Sequence, residues 1–117
     1  MSGEDLQGVV FVADDDPDDR FIAADAIRRI APEVEIRFAE DGEKLLHALL
    51  DESDALPDVV LLDINMPRMD GWEALEQIRD SRRTKALPVV ILTTSSMEED
   101  RARAHALGAD GYEVKPN

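Results

Sequence analysis

Four polar stretches, each at the end of an apolar run, contain the residue types that phosphoryl transfer to a carboxylate requires. Carboxylates bind hard divalent cations such as Mg²⁺, an ammonium group neutralises anionic oxygens, and a hydroxyl donates a hydrogen bond. The stretches are Asp14-Asp15-Asp16, Asp63, Thr93-Thr94 and Lys115.

The acidic members of this set repel one another unless a cation lies between them. Two carboxylates about 4 Å apart repel by about 4 kcal/mol at an effective dielectric constant of ~20. Asp14, Asp15 and Asp63 therefore need a proton or a cation. Lys115 compensates one charge, and Mg²⁺ would compensate the rest, because no histidine or thiol lies nearby in the pattern to favour zinc.

Asp63 is the candidate nucleophile of this set. An ionised carboxylate needs no general base, so its attack on a phosphoryl group would form an acyl phosphate directly. The metal and Lys115 would neutralise the phosphoryl oxygens, and the hydroxyl of Thr93 would donate to one of them.

Five short apolar runs indicate the strands that carry these residues. Their β-branched content, short length and flanking proline or glycine favour strands over buried helix segments. The second run alternates apolar and polar residues, which predicts a strand at an exposed edge. The predicted strands are residues 9–13, 34–38, 59–62, 89–92 and about 111–114.

Four helical patterns separate these runs. The first opens with Asp16 as N-cap and Pro17 at the first helical position, the third follows the turn at 69–71, and the fourth covers roughly 97–107 and stops at Gly108. The fourth has a mostly alanine face, so we expect it to be the least firmly packed. The predicted buried stripes are Ile22, Ala23, Ala26, Ile27 and Ile30 in the first helix, Leu45, Leu46, Leu49 and Leu50 in the second, and Trp72, Leu75 and Ile78 in the third.

This alternation predicts an α/β fold with a doubly wound, flavodoxin-like parallel sheet of five strands. Right-handed crossovers place helices on both faces, and strand order 2-1-3-4-5 suits the edge-like second strand. In that order the first, third, fourth and fifth strands are adjacent. Their carboxyl ends, where such sheets bind ligands, would bring the four polar stretches together.

Composition limits the function classes. The 117 residues include 27 acidic and 13 basic side chains, a formal net charge of −14, which disfavours nucleic acid and anionic membrane as direct partners. The absence of cysteine excludes disulfides and thiolate metal sites. The N-terminus lacks the basic and apolar regions of a signal peptide, and no apolar run is long enough to span a membrane. We therefore expect one cytoplasmic domain over residues 1–117.

The motifs resemble the receiver domain of response regulators in two-component phosphorelay signalling, in particular single-domain receivers of the CheY kind. The resemblance covers nearly the whole chain, and the motifs occur in the family's order. The sequence is also similar to receivers that pair with phytochrome-like or other sensor kinases. The matching segments are VADDDP at 12–17, LLDINMPRMDG at 61–71, PVVILT at 88–93 and GADGYEVKP at 108–116.

The resemblance implies a role for each site residue. Asn65 and Ser95 would influence how long the phosphoryl group survives. The implied roles are phosphoacceptor for Asp63, Mg²⁺ ligands for Asp14, Asp15, Asp63 and the backbone carbonyl of Asn65, switch hydroxyl for Thr93, switch aromatic for Tyr112 and phosphoryl charge stabiliser for Lys115.

The resemblance also implies partners and a mode of action. A phosphohistidine on a sensor histidine kinase or a phosphotransfer protein would donate the phosphoryl group, and an unidentified downstream protein would read the changed surface. Such a domain assists only its own phosphorylation and dephosphorylation, so we do not expect an enzyme acting on other substrates.

Two features depart from the family's pattern. Receiver domains usually continue into a fifth helix, whereas this sequence stops at Asn117, as a C-terminal truncation would explain. That helix normally completes a dimerisation face, so dimerisation stays open. Thr94 stands where a smaller residue is common, which would narrow access to the pocket.

Other interpretations compete with this one. A phosphatase of the haloacid-dehalogenase kind also uses an aspartate nucleophile, but Asp63-Ile64-Asn65 lacks its second acid. A degenerate receiver would act only as a docking module. Asp16, Asp18 and Asp19 are expected to be no more than an N-cap and first-turn acids that the helix dipole favours. We expect His47 and His105 to be solvated.

Overall fold

The computed structural model describes residues 8–115, which alternate five strands with four helices. The strands pair in parallel in the order β2-β1-β3-β4-β5, so the predicted doubly wound α/β fold is confirmed. The elements in chain order are β1 (Val9–Ala13), α1 (Pro17–Ile30), β2 (Glu35–Ala39), α2 (Gly42–Leu50), β3 (Val59–Leu62), α3 (Gly71–Asp80), β4 (Val89–Thr93), α4 (Glu98–Ala106) and β5 (Gly111–Val114).

The strands lie close to their predicted positions. β2 is at the edge of the sheet, as expected, but it begins and ends one residue later than predicted. The shift follows from its register with β1, because Ala13 pairs with Ala39 and the amide of Asp14 donates to the Ala39 carbonyl at 3.0 Å. β4 extends one residue further than predicted, to Thr93.

One face of the sheet, which we call the packed face, is covered by α2, α3 and α4. Side chains of all five strands meet these helices in a single apolar cluster. Removal of this surface from water is the main favourable contribution to folding. The largest fully buried apolar side chains are Leu45, Leu49, Val60, Leu62, Leu75, Ile78, Val89 and Ile91.

The opposite face, which we call the α1 face, is less completely covered. Among residues 8–115, the core cluster contains no residue of α1. An apolar groove lies between this helix and the sheet, and Leu61 and Leu92 of the central strands line it together with Ile22 and Ile27.

The predicted buried stripe of α1 is therefore wrong in part. Ile22 is 54% exposed, Ile30 is 80% exposed and Ala26 is exposed, whereas Ala24 is the buried residue of the helix. The period of the pattern is helical, but no second helix of the described chain packs beside α1 to cover that stripe. Leu50 of α2 is also 44% exposed, because it ends its helix beside the exposed segment 51–55.

Local signals explain where the helices begin and end. Asp16, Asp41 and Asp70 cap α1, α2 and α3, each accepting a backbone N–H of the first turn. α4 ends at Ala106, Leu107 is its C-cap, and Gly108 follows with a φ of 93° that suits glycine. Gly108 N donates to the His105 carbonyl and Ala109 N to the Ala104 carbonyl. None of the helices in residues 8–115 has the length and apolar character that crossing a membrane requires.

Candidate functional site

Three carboxylates gather at the carboxyl edge of the sheet. Ala13 pairs with Leu62, so the residues that follow these strands are neighbours, and the amide of Asp63 donates to the Ala13 carbonyl at 2.9 Å. One carboxylate oxygen from each of Asp14, Asp15 and Asp63 lies within 4.8 Å of the other two. Asp14 and Asp63 are buried and Asp15 is exposed.

Lys115 directly follows the edge strand β5 and reaches this cluster at the same carboxyl edge of the sheet. Its amide donates to the carbonyl of Thr93 at 2.7 Å, which continues the pairing of β5 with β4. Its Nζ lies 2.5 Å from Asp14 Oδ2, 2.9 Å from Asp19 Oδ2 and 3.5 Å from Asp63 Oδ2. The Lys115 side chain is only 9% exposed, so these contacts are largely shielded from water.

The contact with Asp19 corrects the expectation that this residue is only a first-turn acid of α1. Asp19 is the third residue of α1, and its side chain is one-third exposed. Because α1 begins directly after the loop that carries Asp14, its first turn passes beside Lys115. The sequence signal for this pair is weak, since acids are common in the first turn of any helix.

The backbone around Asp63 is fixed by close packing. The amide of Ile64 donates to Asp63 Oδ1 at 2.8 Å, and the amide of Gly71 donates to the Ile64 carbonyl at 2.8 Å. A Cβ on Gly71 would lie 2.2 Å from the Asp63 carbonyl oxygen. Glycine is therefore required where α3 begins, and it allows this helix to hold the Asp63 loop closely.

Burial raises the pKa of Asp63 to about 6, and the negative charge of Asp14 adds to the increase. Lys115 and the amides of Asn65 and Ile64 act in the opposite direction. Burial disfavours the charge of Lys115, but its hydrogen bonds to Asp14 and Asp19 and the charge of Asp63 outweigh that effect and raise its pKa above the usual value. The site thus holds a stable ammonium beside a carboxylate that is mostly ionised at neutral pH.

The carboxylate cluster fits a hard divalent cation. Magnesium takes oxygen ligands at about 2.0–2.1 Å in octahedral geometry, so oxygens on opposite sides of the ion lie about 4 Å apart. The carboxylate oxygens of Asp14, Asp15 and Asp63 need only a small approach to reach that spacing. Asp14 is held in place by its Oδ1, which accepts the amide of Asp16 at 3.0 Å, and by its carbonyl, which accepts Arg20 Nη1 at 2.7 Å.

Thr93 and Tyr112 are linked through Ser95. Thr93 is fully buried at the end of β4, and its Oγ1 accepts a long hydrogen bond of 3.4 Å from the amide of Ser95. The hydroxyl of Tyr112 donates to the Ser95 carbonyl at 2.9 Å, and the Ser95 hydroxyl donates to Asp100 Oδ2 at 2.6 Å. The β4–α4 loop therefore connects the strand that ends beside Asp63 with the buried Tyr112 ring, while Asn65 and Thr94 are exposed.

An ion pair that the sequence analysis missed ties two loops of the site together. Asp41 is completely buried, caps α2 through the amide of Lys44, and accepts a hydrogen bond from Arg68 Nε at 2.9 Å. Nη2 of the same guanidinium lies 2.9 Å from the same carboxylate oxygen and completes the ion pair. The hydrogen bond from the Lys44 amide holds the pKa of Asp41 below its usual range against the effect of burial, and Arg68 assists. Arg68 has a φ of 65°, which is uncommon for a residue with a side chain. An Asp-Gly pair before a leucine-rich helix could have indicated the cap, but no local pattern indicates the partner.

Comparisons with known proteins agree with this architecture. Residues 10–117 match the family described as "Response regulator receiver domain". The curated relative "Probable methanogenesis regulatory protein FilR2" of Methanothrix harundinacea is 35% identical over 111 residues, which are 92% of this chain and 72% of that protein.

Solved structures give the same result. The phosphorylated cyanobacterial phytochrome response regulator RcpA is 29% identical with a TM-score of 0.87, over 94% of this chain and 81% of that one. The Mn(2+)-bound form of response regulator Rcp1 is 29% identical with a TM-score of 0.83, over 94% and 82% of the two chains.

The fold and the polar edge of its sheet define a CheY-like receiver of two-component signalling. The chain belongs to the response-regulator receiver family. It spans only 25% to 33% of several other curated relatives that it matches, which are therefore longer proteins.

Proposed function

We propose that this domain accepts a phosphoryl group on Asp63 from the phosphohistidine of a sensor histidine kinase or a phosphotransfer protein, and that the modification changes a protein-binding surface. The observation that carries the proposal is the convergence of Asp14, Asp15, Asp63 and Lys115 within one partly buried cluster. No other group of three or more potential metal ligands of this kind is found among residues 8–115.

The transfer step follows from the state of Asp63. A pKa of about 6 leaves the carboxylate mostly ionised at neutral pH, so it is nucleophilic without a general base. A lone pair on a carboxylate oxygen forms the new P–O bond while the P–N bond to the donor imidazole breaks. The electron pair of that bond stays on the imidazole nitrogen, which takes a proton as the donor leaves.

Lys115 neutralises the charge of the transferred group. Its ammonium already faces Asp63 Oδ2 at 3.5 Å, so a short movement would bring it to the phosphoryl oxygens. The carboxylates of Asp14, Asp15 and Asp63 and the backbone carbonyl of Asn65 would hold Mg²⁺, which supplies charge neutralisation and orients the phosphoryl oxygens. The phosphorylated state of RcpA and the bound Mn(2+) of Rcp1 support the extension of this chemistry to a similar chain.

The phosphoryl group would change the surface through the β4–α4 loop. The hydroxyl of Thr93 would move to donate to a phosphoryl oxygen, which would break its bond with the Ser95 amide. Because the Ser95 carbonyl accepts the hydroxyl of Tyr112, a shift of this loop would also reposition the aromatic ring and the start of α4. A downstream protein would read this surface, so the domain acts as a switch and its catalysis is limited to its own modification.

Intact-protein mass spectrometry tests the proposal. The chain is incubated with Mg²⁺ and a small acyl phosphate, and we expect one phosphate per molecule in the wild type and in Asp80→Asn, where an exposed acid of α3 is neutralised. Asp63→Asn and addition of a chelator are expected to abolish the adduct. A wild type that gains no phosphate, or an Asp63→Asn variant that gains as much as the wild type, would contradict the assignment.

A further inference from the structure

We propose that Asp19 is a positioning residue that holds the ammonium group of Lys115 away from Asp63 and thereby slows phosphorylation. The inference rests on the proposed function, because it concerns how Lys115 reaches the phosphoryl oxygens. It assigns to one acid of α1 a regulatory effect on the rate at which this receiver is modified.

The distances around Lys115 carry the first step. Its Nζ is 2.9 Å from Asp19 Oδ2 but 3.5 Å from Asp63 Oδ2, so Asp19 makes a full hydrogen bond and Asp63 does not. Asp14 takes another N–H of the ammonium group at 2.5 Å. An ammonium has three donors, and two of them are therefore directed at carboxylates other than the phosphoacceptor.

Burial makes this competition effective. The side chains of Lys115 and Asp14 are 9% and 5% exposed, and that of Asp19 is 33% exposed, so water screens these contacts only in part. To bind the phosphoryl oxygens, Lys115 must weaken or break its bond with Asp19. That exchange adds to the barrier for transfer.

The position of Asp19 also explains why it acts on Lys115 rather than on the metal site. The group of carboxylates whose oxygens converge within 4.8 Å consists of Asp14, Asp15 and Asp63, and it does not include Asp19. Asp19 lies with Lys115 at one end of the apolar groove on the α1 face. It therefore draws the ammonium group from the acidic cluster toward α1.

The experiment compares Asp19→Asn with Asp18→Asn. Both variants remove one negative charge from the first turn of α1. Asp18 is the control because its side chain is exposed, and its backbone amide, which donates to Asp16 Oδ1, is unchanged by the substitution. The rate of phosphorylation by a small acyl phosphate is measured at saturating Mg²⁺, so that a changed metal affinity does not contribute. We expect Asp19→Asn to react about two- to fivefold faster than the wild type, the range for loss of a partly screened ion pair. Asp18→Asn is expected to stay at the wild-type rate.

A charge-retaining variant provides a second comparison. Asp19→Glu keeps a carboxylate in reach of Lys115, so it is expected to react at close to the wild-type rate. If Asp19 only stabilised α1, Asp19→Asn would react more slowly or at the wild-type rate. A slower or unchanged rate, or the same acceleration in Asp18→Asn, would overturn the inference.

NMR of the Lys115 ammonium group separates this inference from the proposed function. Before any phosphodonor is added, its protons are expected to exchange with water faster in Asp19→Asn than in Asp18→Asn, because a neutral amide oxygen holds the ammonium group less strongly than a carboxylate does. Equal exchange in the two variants would show that the contact does not restrain Lys115. Failure of the wild type to take phosphate would instead refute the proposed function and leave the exchange result intact.

Discussion

The two faces of the sheet differ in how completely helices cover them, although the same central strands present apolar side chains to both. On the packed face, Leu62 and Ile91 are fully buried beneath α2, α3 and α4. On the α1 face, Leu61 and Leu92 are half-buried and line an open groove. In β3 and β4 burial thus alternates from one residue to the next.

Because of this difference, the residues of the candidate site lie in two different surroundings. Asp63, the proposed phosphoacceptor, is held by the packed face, where Gly71 lets α3 contact its backbone. Lys115 and Asp19 lie on the other side, at the end of the groove. The backbone of Asp63 is therefore fixed by close helix packing, whereas Lys115 borders an open groove and is held by its contacts with Asp14 and Asp19.

The largest expected effect is a difference between the two faces in how much stability is lost when an apolar side chain is truncated. Ile78→Ala removes a fully buried side chain from the packed face, and we expect a loss of about 2–5 kcal/mol in the free energy of unfolding. Ile22→Ala on the α1 face, where the side chain is 54% exposed, is expected to lose less than about 1 kcal/mol. Urea unfolding measures both values, and equal losses would contradict the contrast between the faces.

The next largest effect is a pH dependence of stability that Asp63, held by the packed face, should cause. The pKa of Asp63 is about 6 in the folded chain and about 3.9 when unfolded, so between these values the folded state binds more protons. Protonated Asp63 therefore contributes stability to the folded state that is fully present below about pH 4 and is lost as pH rises through about 6. The loss, discounted for residual exposure, is about 1–3 kcal/mol.

Urea unfolding of the wild type and Asp63→Asn at pH 4 to 7, with a chelator present, isolates this contribution. We expect Asp63→Asn to gain stability relative to the wild type as pH rises through this window. A difference between the two proteins that does not change with pH would show that burial does not raise the pKa of Asp63.

A smaller effect links this acid to metal binding. If Asp63 must be ionised to bind Mg²⁺, the affinity should fall about tenfold for each unit of pH below the pKa of about 6. Calorimetric titration at pH 5, 6 and 7 measures the slope. Asp63→Asn serves as the control, since any weak binding that remains should lack this step near pH 6.

The fold could be predicted because each strand and helix carries a local signal. The apolar runs and the Asp16-Pro17 and Gly108 signals act within a few residues, and the parallel order follows from general handedness. Coverage of the sheet is different, because a helical period identifies an apolar stripe but not what packs against it. The exposure of Ile22 and Ile30 therefore had to come from the structure.

The site was predictable to the extent that it consists of strand ends. Asp14, Asp15, Asp63 and Lys115 meet because parallel strands end at one edge. The pairing of Asp41 with Arg68, 27 residues apart, depends on a loop residue with positive φ, which no pattern indicates. A pairing between an ordinary first-turn acid and a distant lysine is equally hard to predict from sequence, as the contact of Asp19 with Lys115 shows.

The smallest effect concerns the helix that contributes least to the packed face. In α4, Ala104 is buried, Asp100 is half-buried and the other residues are exposed, so apolar burial alone holds this helix weakly. Two arginines add cation–π contacts, with Arg101 4.8 Å from the centre of the Tyr112 ring and Arg103 4.5 Å from that of Trp72. Each such contact at an exposed site contributes about 0.5–1 kcal/mol.

We therefore expect Arg103→Ala to increase hydrogen exchange of the α4 amides about two- to fivefold while leaving the amides of α3 unchanged. The exposed Arg82, outside α4, provides the matched control as Arg82→Ala, for which no change in α4 is expected. If α4 opened no faster in Arg103→Ala than in Arg82→Ala, the arginine would not hold this helix. The attachment of α4 would then depend on the contacts that this variant keeps, the Ser95–Asp100 hydrogen bond and the contact of Arg101 with Tyr112.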